Sequence, residues 1–563
     1  MLLQRLNEYA RRMELPPKMY KVTPVPWIVD LDKQGGFIGF SRTSGGGKRD
    51  RGKQLTAPYP GARTSGIKAN LLVDKAEYVL GLPKDDKSAA RHDDFVELVR
   101  ECADATGDAG VSAVLEFLQN MDPATLGVPE ELTADQWVTF RVEGGFPTDS
   151  LKVQSFWANR FSSADGEQKK EKMNCIICGS KCIPVSPHPA NVKGIPGGQT
   201  SGLAIISANS VAFESYGLER SVIAPTCATC AENYATAANA LIQDENTHLR
   251  VGPLIYLFWT KQDSSFSPLA FFSKPEPDEV KALIKSAWKG RQYTSIDETY
   301  FYATAFSASG ARVAVREWLE TTVGNVKENL ARWFMLQQLV NWDGGEGEPY
   351  GLYPLCASLY RNANKEMAPN VPRALLRMAL YGGSLPMWLL YQAVRRNRAE
   401  QKVTRPRMAL IKMILLSGEK GKEDTMTQLE ISNTTPAYLC GRLFAELEAI
   451  QRAAMSNANT TIADRFFGTA SSAPASVFGR LIRGAQNHLG KLRKEKRAAY
   501  EALQQRLEEI QQQLPEFPAV LSLKEQGLFA LGYYHQRAAD RAGAKASRDN
   551  ARTQEKNDND ILE

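Results

Sequence analysis

The chain has 563 residues, of which 69 are Lys or Arg and 63 are Asp or Glu, so its formal net charge is +6. Its length predicts about two to four domains, and its 43% hydrophobic content is enough for large buried cores. No stretch reaches the roughly 18 apolar residues that a membrane helix needs, and the N-terminus lacks the apolar core of a signal peptide. We therefore expect a cytoplasmic protein without a membrane partner.

The first 160 residues predict a mixture of helix and strand. The opening segment, MLLQRLNEYARRMEL, carries Leu at helical spacing, which predicts an amphipathic helix. Two apolar runs flank Gly35-Gly36, a pattern typical of a β-hairpin. Residues 42–66 are rich in Gly, Lys and Arg and have almost no apolar anchor. They predict a long, mobile, basic loop, with a solvated linker as the alternative.

Four of the eight cysteines form two Cys-x-x-Cys pairs inside a predicted subdomain at 161–250. The pairs are Cys175 with Cys178 and Cys227 with Cys230. In a cytoplasmic protein this pattern favours a metal over disulfides, and four thiolates suit a closed structural Zn²⁺ site. Cys182 and His188 are near enough in sequence to replace one ligand. Ordinary buried thiols and a redox pair are the alternatives.

A polar, glycine-rich segment at 194–210 lies between the two cysteine pairs. Glycine lets backbone N–H groups approach a phosphate closely, and short polar side chains add hydrogen bonds. The candidate contacts are Gln199, Thr200, Ser201 and Asn209. No Gly-Lys-Ser/Thr follows the glycines, so a nucleotide-hydrolysing P-loop is not indicated. A tight structural turn is the alternative.

Residues 251–416 predict a mixed region that becomes mainly helical after residue 313. The apolar run from Val251 to Trp259 and the run PLAFF at 268–272 predict strands. The polar stretch at 417–424 predicts a flexible break before a bundle of helices at 426–545 that begins near Pro436. Residues 546–563 are polar and are expected to be disordered.

One helix of this bundle, at 478–494, has two faces of opposite character. Apolar residues such as Phe478 and Leu489 repeat on one face, and polar or basic residues lie about 180° away. The polar face consists of Arg480, Arg483, Asn487, Lys491 and Lys494. A stripe of one charge sign suits a phosphate backbone, although a merely basic surface gives the same pattern. The scattered histidines and the lack of a Gly-x-Ser-x-Gly motif do not favour catalysis.

Several segments, in order along nearly the whole chain, resemble the large subunit of type I-C CRISPR surveillance complexes (Cascade). They are NLLVDKAEYVLGL (70–82), NVKGIPGGQTSG (191–202), AFESYGLER (212–220), GRLFAELEAIQ (441–451), TTIADRFFGTASSAPASVFGRLI (460–482), NHLGKL (487–492) and LKEQGLFALGYYHQR (523–537). The resemblance implies a non-catalytic subunit that recognises a protospacer-adjacent motif (PAM) in double-stranded DNA, initiates R-loop formation and helps hold the displaced strand. Guide pairing would read the target sequence, and the protein would read the PAM and the backbone.

The same resemblance implies a set of partners. They are the guide RNA (crRNA) ribonucleoprotein, the Cascade backbone subunits, the subunit that binds the 5′ handle, small subunits made by internal translation of the same gene, and a helicase–nuclease recruited in trans. Met426 or Met455 would be the internal start. Paired cysteines are not universal in this family, so zinc is expected to be a local scaffold.

The resemblance also gives expected DNA contacts. Phosphate contacts are expected from Lys48, Arg49, Arg51, Lys53 and Gln54. PAM contacts are expected from Arg63, Thr64, Ser65, Lys68 and Asn70. The loop carrying Gln199 is a second candidate for a DNA groove, and the stripe at 480–494 would track single-stranded DNA.

The sequence therefore predicts an α+β protein, in which a mixed N-terminal body with a cysteine-bearing zinc subdomain precedes an all-α C-terminal helical bundle. The expected domains are 1–160, 161–250, 251–416 and 426–545, followed by a tail at 546–563. Two alternatives of other classes stay open: a zinc-ribbon nuclease or hydrolase that acts alone, and a subunit that processes guide RNA. The scattered histidines offer neither of them an evident acid–base pair.

Overall fold

The computed structural model describes residues 1–13, 17, 19–45, 50–59, 66–123, 125–162, 171–208, 210–292, 298–455 and 459–562, with the backbone alone at 161–162, 288–292 and 551–562. The chain divides into two compact units. The first unit contains residues 1, 3–191 and 206–237, and the second contains residues 2, 192–205 and 238–563. None of the described helices is both long enough and apolar enough to cross a bilayer.

The N-terminal part of the chain alternates short strands with helices. The strands are β1 (Tyr20–Val25), β2 (Trp27–Leu31), β3 (Phe37–Arg42), β4 (Lys53–Pro58), β5 (Val73–Lys75), β6 (Trp137–Val142), β7 (Met173–Asn174) and β8 (Lys181–Cys182). The helices are α1 (Leu2–Ala10), α2 (Ala76–Val79), α3 (Ser88–Thr106), α4 (Ala109–Asn120) and α5 (Leu151–Ser162). The next helix, α6 (Ala228–Gln243), carries residues of both units.

Strand β2 organises the sheet of the first unit. It pairs antiparallel with β3 and parallel with β6, so the strand order is β3-β2-β6-β5. A parallel pair needs a long crossover connection, and α2, α3 and α4 lie in that connection. Phe95 of α3 and Phe117 of α4 pack against Phe140 of β6 in the buried core. The predicted hairpin is confirmed, and Gly35 in its turn has a φ of 85°.

The second unit combines an antiparallel sheet with most of the helices. Its strands, in the spatial order β12-β11-β10-β9, are β9 (His248–Val251), β10 (Leu254–Thr260), β11 (Tyr300–Ser309) and β12 (Arg312–Thr322). Its helices are α7 (Leu269–Ser273), α8 (Pro277–Gln292), α9 (Val323–Gln337), α10 (Leu352–Ala357), α11 (Ala363–Glu366), α12 (Asn370–Tyr381), α13 (Met387–Glu400), α14 (Arg405–Leu416), α15 (Pro436–Ala454), α16 (Ile462–Ala470), α17 (Phe478–Glu495), α18 (Arg497–Gln512) and α19 (Leu523–Leu562). The predicted α+β class, with a helical C-terminal region, is confirmed.

Helices α15 and α19 pack backbone against backbone. A Cβ atom added at Gly441 of α15 would lie 2.0 Å from the carbonyl oxygen of Phe529 in α19. One added at Gly532 would lie 2.2 Å from the carbonyl oxygen of Tyr438 in α15. Real Cβ atoms do not approach backbone this closely, so only glycine permits the contact at these two positions.

Four local predictions are wrong. Residues 53–58 of the predicted basic loop form β4, which pairs with β1. The run PLAFF is helical, because Leu269 and Phe272 are three residues apart and both enter the core from α7. The start of the region predicted as helical is β12, which pairs with β11. The tail predicted to be disordered continues α19 to Leu562.

The predicted break at 417–424 is not a boundary between compact units. One apolar core runs from Leu254 to Tyr534, across the segment. Arg332 of α9 donates hydrogen bonds to the carbonyl oxygens of Ser417 and Glu419 and forms an ion pair with Glu423 at 2.8 Å. These long-range contacts hold a polar stretch that sequence composition alone marks as a linker.

The Gly441 contact predicts a large effect of one methyl group. Gly441→Ala should lower the free energy of unfolding by about 1–3 kcal/mol or more, because neither helix backbone can move away without opening the core. Gly484→Ala in α17 is the matched control, since nothing lies within 4 Å of its added Cβ. The control should be neutral or stabilising by about 0.5–1 kcal/mol. Thermal unfolding of both variants measures this, and equal midpoints would contradict the close contact.

Lys412 predicts a pH dependence of stability. Burial lowers the pKa of this lysine to about 8, and its Nζ donates a hydrogen bond to the carbonyl oxygen of Gln338 at 2.9 Å. Because the folded pKa lies below the unfolded value, Lys412 contributes stability above pH 10.5 that is lost as pH falls towards 8. The unfolding temperature of the wild type relative to Lys412→Met should therefore rise between pH 8 and 10.5, by the equivalent of about 3 kcal/mol. A constant difference across this range would refute the assignment.

Candidate nucleic-acid interface and metal centre

Two local structures in the first unit present the paired cysteines. Cys175 and Cys178 lie on a tight turn between β7 and β8, in which the Gly179 N–H donates to the Cys175 carbonyl oxygen at 2.8 Å. Cys227 precedes α6, and Cys230 lies in its first turn. A backbone hydrogen bond joins the two segments, from the Ile176 N–H to the carbonyl oxygen of Pro225 at 2.8 Å. A knuckle and a helix start therefore face one another.

The four thiols form one cluster. The Sγ atoms of Cys175, Cys178, Cys227 and Cys230 all lie within 4.8 Å of one another. The Cys178 and Cys227 sulfurs are 3.9 Å apart, which is far beyond a disulfide bond and close to the spacing of about 3.8 Å between sulfurs on a tetrahedral ion with 2.3 Å bonds. Within the described residues this is the only group of three or more His, Cys, Asp or Glu side chains able to hold a metal. The predicted four-cysteine set is brought together.

The electrostatics of the cluster suit a cation. Hydrogen bonds from Ser180 lower the pKa of the Cys178 thiol to about 6. Burial raises the pKa of Cys227, and the charge of Cys175 adds to this effect. A divalent cation would favour the thiolate form of Cys227, which burial penalises, and would stabilise the Cys178 thiolate further. The residues therefore fit Zn²⁺.

The two reserve ligands lie outside the cluster. Burial and the neighbouring cysteines raise the pKa of Cys182, which is half-buried. His188 is buried, its Nδ1 lies 2.6 Å from the Tyr234 hydroxyl, and burial lowers its pKa to about 4. The four paired cysteines are sufficient for a tetrahedral site without them.

The N-terminal DNA candidates separate into exposed and buried residues. Arg51, Lys53 and Gln54 are exposed at the start of β4, and Lys68 is also exposed. Asn70 is only 2% exposed, and its backbone N–H donates to Asp74 at 2.8 Å. The expectation that Asn70 presents a donor to DNA is therefore not supported. Six other candidates lie outside the described residues: Lys48, Arg49, Arg63, Thr64, Ser65 and Asn209.

The glycine-rich segment forms an exposed loop tip in the second unit. Val192 and Leu203 pair across its base, and the Gly202 N–H donates to the carbonyl oxygen of Gln199 at 3.0 Å. Gly202 has a φ of 95°, so the turn itself requires a glycine there. The side chains at the tip, Gln199, Thr200 and Ser201, are exposed. The segment is thus a structural turn that also presents polar groups.

Helix α17 has the two faces that the sequence predicts. The buried residues are Phe478, Leu481, Ala485, Leu489 and Leu492. The exposed residues include the whole predicted stripe of Arg480, Arg483, Asn487, Lys491 and Lys494. Lys491 donates to the carbonyl oxygen of Ala454 at 3.0 Å, and the Arg480 guanidinium lies 5.3 Å from the centre of the Phe466 ring. Arg483 and Lys494 form no ion pair among the described residues.

The structure has a second basic surface that the sequence analysis did not predict. A groove of about 560 Å³ in the second unit lies between α13, α16 and the start of α19, and Arg395, Arg398 and Arg465 line it. We call it the arginine groove. Its signal in the sequence is the spacing of Tyr391, Arg395 and Arg398, which places them on one face of a helix. That signal has meaning only when the opposite face is known to be buried.

The family is decided by a match that covers most of the chain. The family model described as CRISPR-associated protein (Cas_Csd1) matches residues 2–540. The chain belongs to this family. The match includes the cysteine cluster, the glycine-rich loop and α17, and it confirms the resemblance drawn from the sequence. A search of curated proteins found no match.

Proposed function

We propose that the chain is the non-catalytic large subunit of a type I-C CRISPR surveillance complex. In this role it recognises the PAM in double-stranded DNA, initiates the R-loop, helps hold the displaced strand and recruits the helicase–nuclease. Its partners are the guide-RNA ribonucleoprotein, the Cascade backbone subunits, the 5′-handle-binding subunit and small subunits translated from Met426 or Met455. Family membership supports the CRISPR context, and the location that follows from it is the prokaryotic cytoplasm.

The observation that carries the proposal is the charge separation across α17. Five apolar residues fix one face of the helix in the core, so the opposite face is held outward as a rigid surface. Four basic side chains and Asn487 occupy that face. Such a surface binds phosphates along a strand without reading bases, which is what holding a displaced strand of any sequence requires.

We assign the N-terminal candidate residues to contacts with double-stranded DNA. Arg51 and Lys53 are exposed around the start of β4 and would contact phosphates. Lys68 is exposed and, with Arg63, Thr64 and Ser65, is proposed to contribute to PAM reading. The exposed tip with Gln199 would enter a groove, while Asn70 is excluded from the set because its side chain is buried.

We also propose that the cysteine cluster holds a structural Zn²⁺. Four thiolates complete a tetrahedral shell and leave no position for a catalytic water. The ion would join the β7–β8 turn to the start of α6. This argument also favours a binding protein over the zinc-ribbon nuclease or hydrolase.

Charge removal on α17 should weaken strand binding in the assembled complex. Gln at Arg480, Arg483, Lys491 and Lys494 should reduce affinity for displaced single-stranded DNA at least tenfold and lower the log–log salt slope by about 3, or roughly 0.7 for each phosphate that is no longer neutralised. Enrichment of a PAM from duplexes with randomised flanks should persist. Fluorescence anisotropy at several salt concentrations measures the first effect, and sequencing of the bound duplexes measures the second.

A matched pair of single variants controls for net charge. Arg483→Gln removes a guanidinium from the stripe, and Arg493→Gln removes one from the same helix outside it. Only Arg483→Gln should change the salt slope. If the quadruple variant binds the strand as tightly as the wild type, or if the wild-type complex enriches no flank, the proposed function is wrong. Cleavage of DNA or of unprocessed guide RNA by the purified chain with Mg²⁺ would support the alternatives instead.

The metal assignment predicts a specific loss of zinc. The purified chain should contain about one Zn²⁺ per molecule by mass spectrometry, and Cys178→Ser should lose most of it because three thiolates bind the ion less tightly. Cys182→Ser is the control, because this thiol lies beside the cluster but outside it. Equal zinc contents in the Cys178 variant and the wild type would show that the cluster does not hold the ion.

A further inference from the structure

The arginine groove combines three guanidinium groups without acidic partners on two helices. Arg395 and Arg398 project from α13, and Arg465 projects from α16. All three residues are exposed, and none forms an ion pair among the described residues. The Arg465 guanidinium donates to the neutral Thr460 hydroxyl at 3.1 Å. Like charges facing one space without a counterion create a positive potential that favours an anion.

The nearby acidic groups are already engaged. Glu400 pairs with Arg396 at 2.5 Å and with Arg407 at 2.7 Å, on the side of α13 that leads into the core. Asp464 accepts hydrogen bonds from the Thr461 backbone N–H and hydroxyl. Glu525 caps the start of α19 by accepting from the Ser522 N–H at 2.7 Å. The charge of the groove is therefore not compensated by its own walls.

Aromatic side chains extend the same face of α13. Trp388 is 39% exposed and Tyr391 is 58% exposed. They precede Arg395 by seven and four residues, so they lie on the helix face that carries the two arginines. Large rings exposed to this degree beside unpaired arginines are the combination on which bases stack while phosphates are neutralised.

Helix α16 links the groove to the stripe of α17. Phe466 follows Arg465 in α16, and the Arg480 guanidinium lies over the Phe466 ring. Arg480 is the first residue of the stripe. Arg465 of the groove and Phe466, which contacts Arg480, are therefore neighbours on α16 within the second unit.

We propose that the arginine groove is a binding site for a single-stranded polynucleotide, with phosphates at the three arginines and a base on Tyr391. The inference rests on the proposed function, because the groove extends the strand path of α17. The shared chemistry is an unpaired phosphodiester strand with an exposed base, which both the displaced DNA strand and an RNA strand offer. The structure favours this ligand over duplex DNA, because stacking on Tyr391 requires an unpaired base.

The test uses the full-length chain with fluorescein-labelled 20-nucleotide oligothymidine, oligouridine and a duplex of the same length. The variant with Gln at Arg395, Arg398 and Arg465 should bind oligothymidine about 10- to 100-fold more weakly, with a salt slope lower by about 2. Tyr391→Ala should weaken binding about tenfold and Tyr391→Phe should not, because the ring stacks and the hydroxyl does not. The duplex should be affected less than either single strand.

Two controls make the outcome decisive. Gln at Lys274, Lys285 and Lys365 removes the same charge from exposed positions on other parts of the second unit, and Arg396→Gln removes a paired arginine from α13. If the lysine triple variant weakens oligothymidine binding as much as the groove variant does, the effect is one of net charge and the proposed site is wrong. Unchanged binding by the groove variant would also overturn the site. Selective loss of oligothymidine or of oligouridine binding identifies the strand. If the α17 variant loses strand binding and the groove variant does not, this inference fails while the proposed function stands.

Discussion

The second unit depends on the contact between α15 and α19, which only glycine allows at Gly441 and Gly532. The contact brings backbone against backbone, so it fixes the register of the two helices as well as their separation. Buried polar groups reinforce that register. Arg442 of α15 donates to Gln536 of α19 at 2.9 Å, and Gln536 donates to Glu446 at 2.8 Å. A shift by one residue would leave these groups unpaired in the core, which costs far more than the bonds contribute.

The exposed basic surfaces follow from this arrangement. Helix α15 packs against α16, α17 and α18 as well as α19, so the inner faces of α16 and α17 are set by it. Among the described residues, Arg465 of α16 and Arg483 and Lys494 of α17 form no ion pair, since Asp464 caps α16 and Glu495 pairs with Lys491 at 3.8 Å. The positive potential is therefore built into the way each helix is anchored. It does not depend on the net charge of the chain, which is close to neutral for its length.

The sequence predicts correctly those features that depend on short-range periodicity. The two faces of α17 and the start of α15 at Pro436 need only a repeat of 3.6 residues and a helix-starting proline. The hairpin at Gly35 and the cysteine cluster depend on local turn chemistry and on ligand spacing. The helix faces and the hairpin are encoded within a few consecutive residues. The metal cluster is encoded by paired cysteines, a side-chain pattern with few other functions.

Other features need partners that are distant in sequence. The stretch at 417–424 has the composition of a linker, but partners distant in sequence hold it in place. They include Arg332, 85 residues before Ser417, and Leu385, whose N–H donates to the Ser417 hydroxyl at 2.9 Å. The side chain of Asn70 looks like a surface donor, but it is buried beneath neighbours that composition does not reveal. The PLAFF run is too short to separate helix from strand, and packing of Leu269 and Phe272 decides it.

The arginine groove shows why binding surfaces of this kind are hard to predict from the sequence. Arg396 and Arg398 are both arginines of α13, but the first is neutralised by Glu400 and the second faces the groove. The distinction comes from which side of the helix meets the core, where Leu389, Leu390 and Ala393 are fully buried. Unpaired like charges destabilise a folded chain, so the buried face must offset their repulsion. The phosphates of a bound strand would neutralise these arginines and relieve the repulsion. The charges that lower the stability of the free chain therefore favour binding.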